Sequence, residues 1–145
     1  MTEQQKCRDL IRASYGSRIA DLRRLIAADN AGNEEGVPDL GTLNEYGLSF
    51  DYVAPGTFTG QRRGYWRYQL SWGGPSEEFR FYAERTGASE YNYTVDRIEF
   101  WYLDWFDGAH RTMRKGADFD LLAGWFANLA DCGTVLHVYT AAMED

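Results

Sequence analysis

VDRIEFWYLDWF, residues 95–106, is the stretch that decides the fold of this chain. Large apolar side chains occupy both sets of alternating positions, which is the pattern of a strand with bulky groups on each of its faces. One face carries Ile98, Phe100, Tyr102 and Phe106, and the other carries Trp101, Leu103 and Trp105. Such a strand is typical of the interior of a sheet, or of a sheet covered on two sides.

The residues that follow predict a hairpin and then helices. Asp107-Gly108 is typical of two-residue hairpin turns, and 109–114 reads as a short polar strand at a sheet edge. Asp118 is a suitable N-cap for a helix, and Gly133 predicts where that helix ends. The apolar stripe of this helix consists of Leu121, Leu122, Trp125, Phe126 and Leu129. Residues 134–142 fit a short helix or a strand, and we expect the helix.

Toward the N-terminus, three more stretches alternate with a period of two and predict strands at 48–53, 65–72 and 78–83. Pro55-Gly56 and Gly73-Gly74 are the turn signals between them.

Residues 3–29 predict one amphipathic helix, and 30–42 a linker rich in Gly, Asn and acids. The stripe of the helix is Cys7, Leu10, Ile11, Tyr15, Ile19, Leu22, Leu25 and Ile26. The sequence therefore predicts a single α+β domain over 1–145. In it, an antiparallel sheet of four to five strands is packed by an N-terminal helix and by a C-terminal helix or helices.

Composition narrows the class of protein. The chain has 145 residues and a net charge of -7, from 22 acids and 15 bases. Residues 1–36 hold six of each, so all of the net charge falls in 37–145, the acidic sheet and C-terminal helical region. This charge argues against a general nucleic-acid binder, which needs a basic face. The 23 aromatic residues argue against disorder. The polar N-terminus and the lack of a long apolar segment predict a cytoplasmic protein without a membrane partner.

Residues with catalytic chemistry are few. Neither His110 nor His137 has a second His or a Cys at the spacing of metal ligands. Asp104, Asp107 and His110 are three residues apart, a spacing that does not place all three on one face of a hairpin. Both cysteines, Cys7 and Cys132, lie near apolar stripes and are expected to be buried. We therefore predict no catalytic residue, no metal and no cofactor, and an enzyme is the less favoured interpretation.

Arg62, Arg63 and Arg67 are interleaved with aromatic residues, a combination that nucleic-acid binders also use. Because the surrounding region is acidic, we expect these arginines to pair with acids on neighbouring strands and to stack on rings.

Four blocks of the sequence resemble a family of small uncharacterised accessory proteins of bacterial plasmids, phages and conjugative elements. They are GTLNEYGLSFDYVAPGTF (41–58), GYWRYQLSWGGPSEEFRFY (64–82), RIEFWYLDWFDGA (97–109) and DCGTVLHVY (131–139). Within them, WGGPSEEFRFY and LDWFDGA are the most specific. The resemblance covers roughly 41–139 and supplies no catalytic residues. It implies a context in which small binders blunt host defence.

In that context the acidity suggests a protein that mimics nucleic acid and inhibits a host defence complex, such as CRISPR or restriction machinery. Its carboxylates would occupy a basic channel of the host protein complex, exposed aromatics would anchor the contact, and the chain itself would bind no nucleic acid. The residues expected to carry this contact are Glu77, Glu78, Asp104, Asp107, Trp72 and Trp105.

Two alternatives remain open on the sequence alone. The excess of aromatics on both strand faces favours a structural or homo-oligomeric protein, such as a homodimer. A small enzyme or ligand-binding domain would instead need an aromatic pocket with polar groups around His110 or His137. An ordinary acidic surface that keeps the chain in solution also accounts for the charge.

Overall fold

The computed structural model describes residues 3–73, 75–104 and 107–144, with side chains from residue 8 onward except that of Asp107. The elements of the described chain follow in order. They are α1 (Glu3–Asn30), α2 (Leu43–Tyr46), β1 (Ser49–Val53), β2 (Tyr65–Ser71), β3 (Ser76–Arg85), β4 (Tyr93–Asp104), β5 (Asp107–Met113), α3 (Ala117–Asp131) and α4 (Thr134–Met143).

The five strands form one antiparallel sheet in the order β1-β2-β3-β4-β5, so that each strand pairs with its neighbours in sequence. This arrangement confirms the predicted α+β fold, with one N-terminal helix and C-terminal helices. β4, which contains most of 95–106, lies inside the sheet, as its two apolar faces predicted. β5 is an edge strand, which agrees with its polar sequence.

The chain packs as two compact units, and both receive segments of the sheet. Unit 1 comprises 1–48, 69–78 and 100–111, and unit 2 comprises 49–68, 79–99 and 112–145.

In unit 1, α1 is a single helix that runs through Gly16, as predicted. Its buried residues are Tyr15, Ile19, Leu22, Leu25 and Ile26. Tyr15 meets Phe100 of β4 edge to face, with ring centroids 5.7 Å apart, and the Arg111 guanidinium lies 4.4 Å from the centroid of its ring. Leu10, earlier on the predicted stripe, is exposed. The apolar stripe is therefore buried from Tyr15 onward.

In unit 2, α3 packs on the alternating aromatics of the strands. Phe126 stacks on Phe81 with centroids 5.2 Å apart, and both side chains are fully buried. Trp125 packs against Tyr68 and against Phe50. Each aromatic of this size contributes roughly 1.5–3 kcal/mol by leaving water, so the cluster is a major source of stability in unit 2.

The opposite sheet face in unit 2 carries tyrosines covered by arginines. Arg80 lies over the ring of Tyr65 and Arg97 over that of Tyr82, at 4.9 and 3.9 Å from the centroids. The Tyr82 hydroxyl donates to buried Glu99 across 3.1 Å. These rings are therefore buried within one chain and covered by guanidinium groups.

Two further arginines of unit 2 pair with acids as predicted, Arg67 with an acid of the neighbouring strand β1 and Arg63 with an acid of the more distant β4. Arg63 forms a double hydrogen bond with Asp96, at 2.9 Å for each, and Arg67 does the same with Asp51 at 3.1 and 2.7 Å. Arg63 also lies over the Tyr82 ring.

Two local predictions need correction, and one short element was missed. Asp107 and Gly108 begin β5 instead of forming the turn, and residues 105–106 lie outside the described residues. Gly116 is the N-cap of α3, and Asp118 lies in its first turn. The short helix α2 was not predicted, because four residues are too few for a periodic pattern.

The C-terminal prediction of a helix over 134–142 is confirmed by α4, which follows a left-handed Gly133. Among the described helices, none is by itself long and apolar enough to cross a bilayer.

Candidate functional site

The longest stretch without a basic residue or a histidine runs from Leu25 to Gln61. It contains an acidic segment, residues 29–45, in unit 1, whose carboxylates are all exposed: Asp29, Glu34, Glu35, Asp39 and Glu45. Unit 1 holds 12 acids and 7 bases, whereas unit 2 holds 10 and 8. Of the net charge of -7, -5 therefore belongs to unit 1.

The acidic segment begins at the end of α1. The Gly32 amide donates to the Asp29 carbonyl and the Asn33 amide to the Ala28 carbonyl, so glycine in the left-handed region closes the helix. The Asn33 side chain then accepts a hydrogen bond from the Glu35 amide and donates one to the Gly36 carbonyl. These bonds fix the backbone that carries Glu34 and Glu35.

A tight reversal follows, in which Val37 and Gly41 form an isolated antiparallel bridge. Gly36 has φ +80°, and a Cβ placed on it would lie 2.2 Å from the Gly41 carbonyl oxygen. Only glycine fits this position, both for its backbone angle and for its space. Asp39, at φ 75°, is the one described residue besides glycine with positive φ.

The segment ends in a capping box that starts α2. The Glu45 amide donates to the Thr42 hydroxyl, and the Thr42 amide donates to the Glu45 carboxylate. Hydrogen bonds from Thr42 lower the pKa of Glu45. A cleft of about 240 Å³ lies between the end of α1 and the acidic segment, and its lining includes Leu25, Asp29 and Glu34.

Two of the predicted binding residues point inward in unit 1. Glu77 accepts hydrogen bonds from Arg18 at 2.7 Å, from Ser71 at 3.0 Å and from Ser14. Burial raises the pKa of Glu77, but these hydrogen bonds and the Arg18 charge outweigh burial and the pKa is lowered. Glu78 is only 4% exposed. The carboxylates of this pair are therefore not displayed as the sequence analysis expected.

Arg18 is the centre of a network that sequence reasoning missed. It donates to the Tyr46 hydroxyl at 3.0 Å, and that hydroxyl donates to Asp21 at 2.6 Å. Burial, with help from Asp21, raises the pKa of Tyr46 to about 12. The hydrogen bonds to Glu77 and Tyr46 outweigh the effect of burial and raise the pKa of Arg18. The network ties α2 and β3 to α1, but no local sequence signal joins residues so far apart.

Of the other predicted binding residues, the structure describes some completely and others in part or not at all. Trp72, directly after β2, is 75% exposed and is the most exposed large apolar residue described. Asp104 is half-buried at the end of β4. Asp107 begins β5, but its side chain and the whole of Trp105 lie outside the described residues. Binding of a partner by these residues stays a prediction.

Unit 2 contains an aromatic cleft of about 320 Å³. Its lining residues are Tyr52, Trp66, Ala83, Glu84, Arg85, Tyr93 and Tyr139. Neither His110 nor His137 lines it, so it is not the histidine pocket that the sequence analysis considered. It was missed because its rings come from three strands and from α4.

The histidines and cysteines show no catalytic arrangement among the described residues. His110 stacks on Trp101 with ring centroids 4.4 Å apart. Cys132 is exposed, contrary to the prediction that it is buried, because it lies at the junction between α3 and α4. A contact with the Thr134 hydroxyl at 3.2 Å lowers the pKa of its thiol. Throughout the part of the chain that the structure describes, no three His, Cys, Asp or Glu residues are grouped to hold a metal ion.

Comparisons with protein-family models, with curated proteins and with solved structures found no match for this chain.

Proposed function

We propose that this chain is a non-catalytic binding protein whose acidic segment docks on a basic surface of a partner protein. The observation that carries the proposal is the display of five exposed carboxylates on a backbone-fixed segment, within 37 consecutive residues that include no base. Because the segment is ordered before binding, little conformational entropy is lost when it docks.

Trp72 supplies the second part of the contact. An exposed tryptophan on the same unit is the side chain type that most often dominates the energy of a protein interface. The charge would speed the encounter, and the ring would slow dissociation. Association is therefore expected to weaken with salt, mainly through its on-rate.

The resemblance to accessory proteins of mobile elements suggests which partner to test. A host defence complex that handles nucleic acid has a basic channel, and carboxylates of the acidic segment would occupy phosphate positions there. The protein would act in the cytoplasm as an inhibitor of that complex, without binding nucleic acid itself.

The test is plasmid transformation into bacteria whose CRISPR or restriction system targets the plasmid. Expression of the chain is expected to restore transformation in at least one of these systems. Glu34→Gln with Glu35→Gln removes two of the displayed charges and is expected to reduce the restoration. A matched control, Asp131→Asn with Glu144→Gln, removes two exposed charges from unit 2 and leaves the restoration unchanged.

Unchanged transformation in every system would contradict the inhibitor proposal. Equal loss in the two double variants would show that overall charge, and not the acidic segment, is responsible. Gel filtration of the chain mixed with the purified host complex, at low and at high salt, then establishes whether inhibition is accompanied by direct binding.

A further inference from the structure

The aromatic cleft of unit 2 is independent of the acidic segment and has the properties of a ligand site. Its volume of about 320 Å³ is in the range of small-molecule pockets. Its walls come from elements of one unit: Tyr52 of β1, Trp66 of β2, Tyr93 of β4 and Tyr139 of α4.

Trp66 holds the rings of the cleft in place. It is 3% exposed, and its indole Nε1 donates to the Val135 carbonyl at 3.1 Å. Around it, Tyr52 and Tyr93 lie with centroids 4.7 and 5.3 Å away, and Tyr139 lies nearly parallel at 6.2 Å. The walls are thus formed before any ligand binds, which reduces the entropic cost of binding.

The three tyrosine hydroxyls of the cleft hydrogen-bond to no other group among the described residues. Burial raises the pKa values of Tyr52 and Tyr93, so both remain protonated donors well above neutral pH. The Tyr52 hydroxyl lies against Gly64, whereas the half-buried Tyr93 and Tyr139 present apolar faces and polar edges to a bound molecule.

Two charged residues line the same cleft and differ in their partners. Glu84 is 80% exposed, and its carboxylate lies 3.9 Å from the Arg63 guanidinium, which also binds Asp96. Arg85 is exposed, and no described carboxylate lies within ion-pair distance of it. The Arg85 guanidinium is therefore the charged group at the rim that is available to an anion.

We propose that this cleft binds a planar aromatic molecule that carries an anionic group, with its ring against Tyr52, Tyr93 and Tyr139 and its anion at the Arg85 guanidinium. Nucleotides and aromatic carboxylates share this chemistry.

The test titrates four probes into the full-length protein at about 0.15 M salt, where long-range repulsion from the net charge is screened. The probes are adenosine monophosphate, indole-3-carboxylate, adenosine and inorganic phosphate. The readout is the NMR signal of the Trp66 indole N–H, identified by its loss in Trp66→Phe. We expect at least one of the two aromatic anions to shift it with a Kd below about 1 mM. Adenosine and phosphate alone should bind about tenfold more weakly or not at all.

Arg85→Gln is expected to weaken binding of the aromatic anion about tenfold, because it removes a charge-assisted hydrogen bond. Arg114→Gln, an exposed arginine outside the cleft, serves as the matched control and should not change it. Tyr139→Phe keeps the ring and should retain most of the affinity. This variant therefore distinguishes the loss of one ligand contact from the loss of the folded cleft.

The proposal is overturned if neither aromatic anion shifts the Trp66 signal, or if Arg85→Gln binds as tightly as the unchanged protein. Adenosine binding as tightly as its monophosphate would refute the claim that the cleft binds the anionic group of the ligand. Inorganic phosphate binding as tightly as adenosine monophosphate would refute the claim that the cleft binds the aromatic ring of the ligand. Tighter binding of the nucleotide or of the aromatic carboxylate identifies which of these two ligand classes the cleft accepts.

Discussion

The chain contains two Glu-Glu dipeptides, and the structure uses them in opposite ways. Glu34-Glu35 lies in the acidic segment, where the backbone is held by glycines, an asparagine and a capping box, so that both carboxylates face solvent. Glu77-Glu78 lies at the start of β3, where Glu77 pairs with Arg18 and Glu78 is buried. The comparison teaches that the surroundings of a carboxylate in the fold, and not the Glu-Glu pattern, decide whether it is displayed or buried.

The largest expected loss of stability comes from disrupting the backbone conformation that displays Glu34 and Glu35. Gly36→Ala places a methyl group 2.2 Å from a carbonyl oxygen at φ +80°, and neither backbone segment can move cheaply. We expect a loss of about 3 kcal/mol in the free energy of unfolding, measured by urea denaturation.

Gly32→Ala is the matched control for this substitution. Gly32 has a similar φ of +75°, but a methyl group added to it would meet no atom within 4 Å, so only the backbone angle is penalised, by about 1 kcal/mol. Equal losses in the two variants would contradict the steric argument for Gly36.

A smaller loss of stability is expected when the second pair, Glu77-Glu78, is changed. Glu77→Gln removes the charge that Arg18, Ser14 and Ser71 surround, and we expect a loss of about 2 kcal/mol at pH 7. The pKa of Glu77 is lowered on folding from its ordinary 4.5, so its contribution is present above that pH and is lost as the pH falls through the folded value.

Urea denaturation of Glu77→Gln and of the unchanged protein, at pH 7 and then in steps below pH 4.5, checks this prediction. The difference between the two proteins should shrink in acid. A difference that stays constant over that range would mean that shape, and not ionisation, explains the loss.

The smallest effect on stability is expected from the displayed pair. Glu34→Gln with Glu35→Gln should change the free energy of unfolding by less than about 0.5 kcal/mol, because no described hydrogen bond uses either carboxylate. Thermal denaturation of the double variant beside Glu77→Gln compares the two pairs directly. A loss as large as that of Glu77→Gln would show that the acidic segment depends on its charges.

Much of the fold was predictable, because alternating strands such as 65–72 and helical stripes such as that of 3–29 carry their own periodicity. The candidate site was harder. The pairing of Arg18 with Glu77 spans 59 positions, and the cleft around Trp66 combines residues from 52 to 139. No local pattern encodes such contacts. Exposure of Glu34 and burial of Glu78 likewise depend on neighbours that are distant in sequence.

The exposed Cys132 has a practical consequence for the question of self-association. A thiol with a lowered pKa has more thiolate at neutral pH, and thiolate is the form that air oxidises to a disulfide between two molecules. A dimer found after storage without reductant could be such a covalent artefact. Light scattering in fresh reductant, repeated with Cys132→Ser, separates the covalent species from true association.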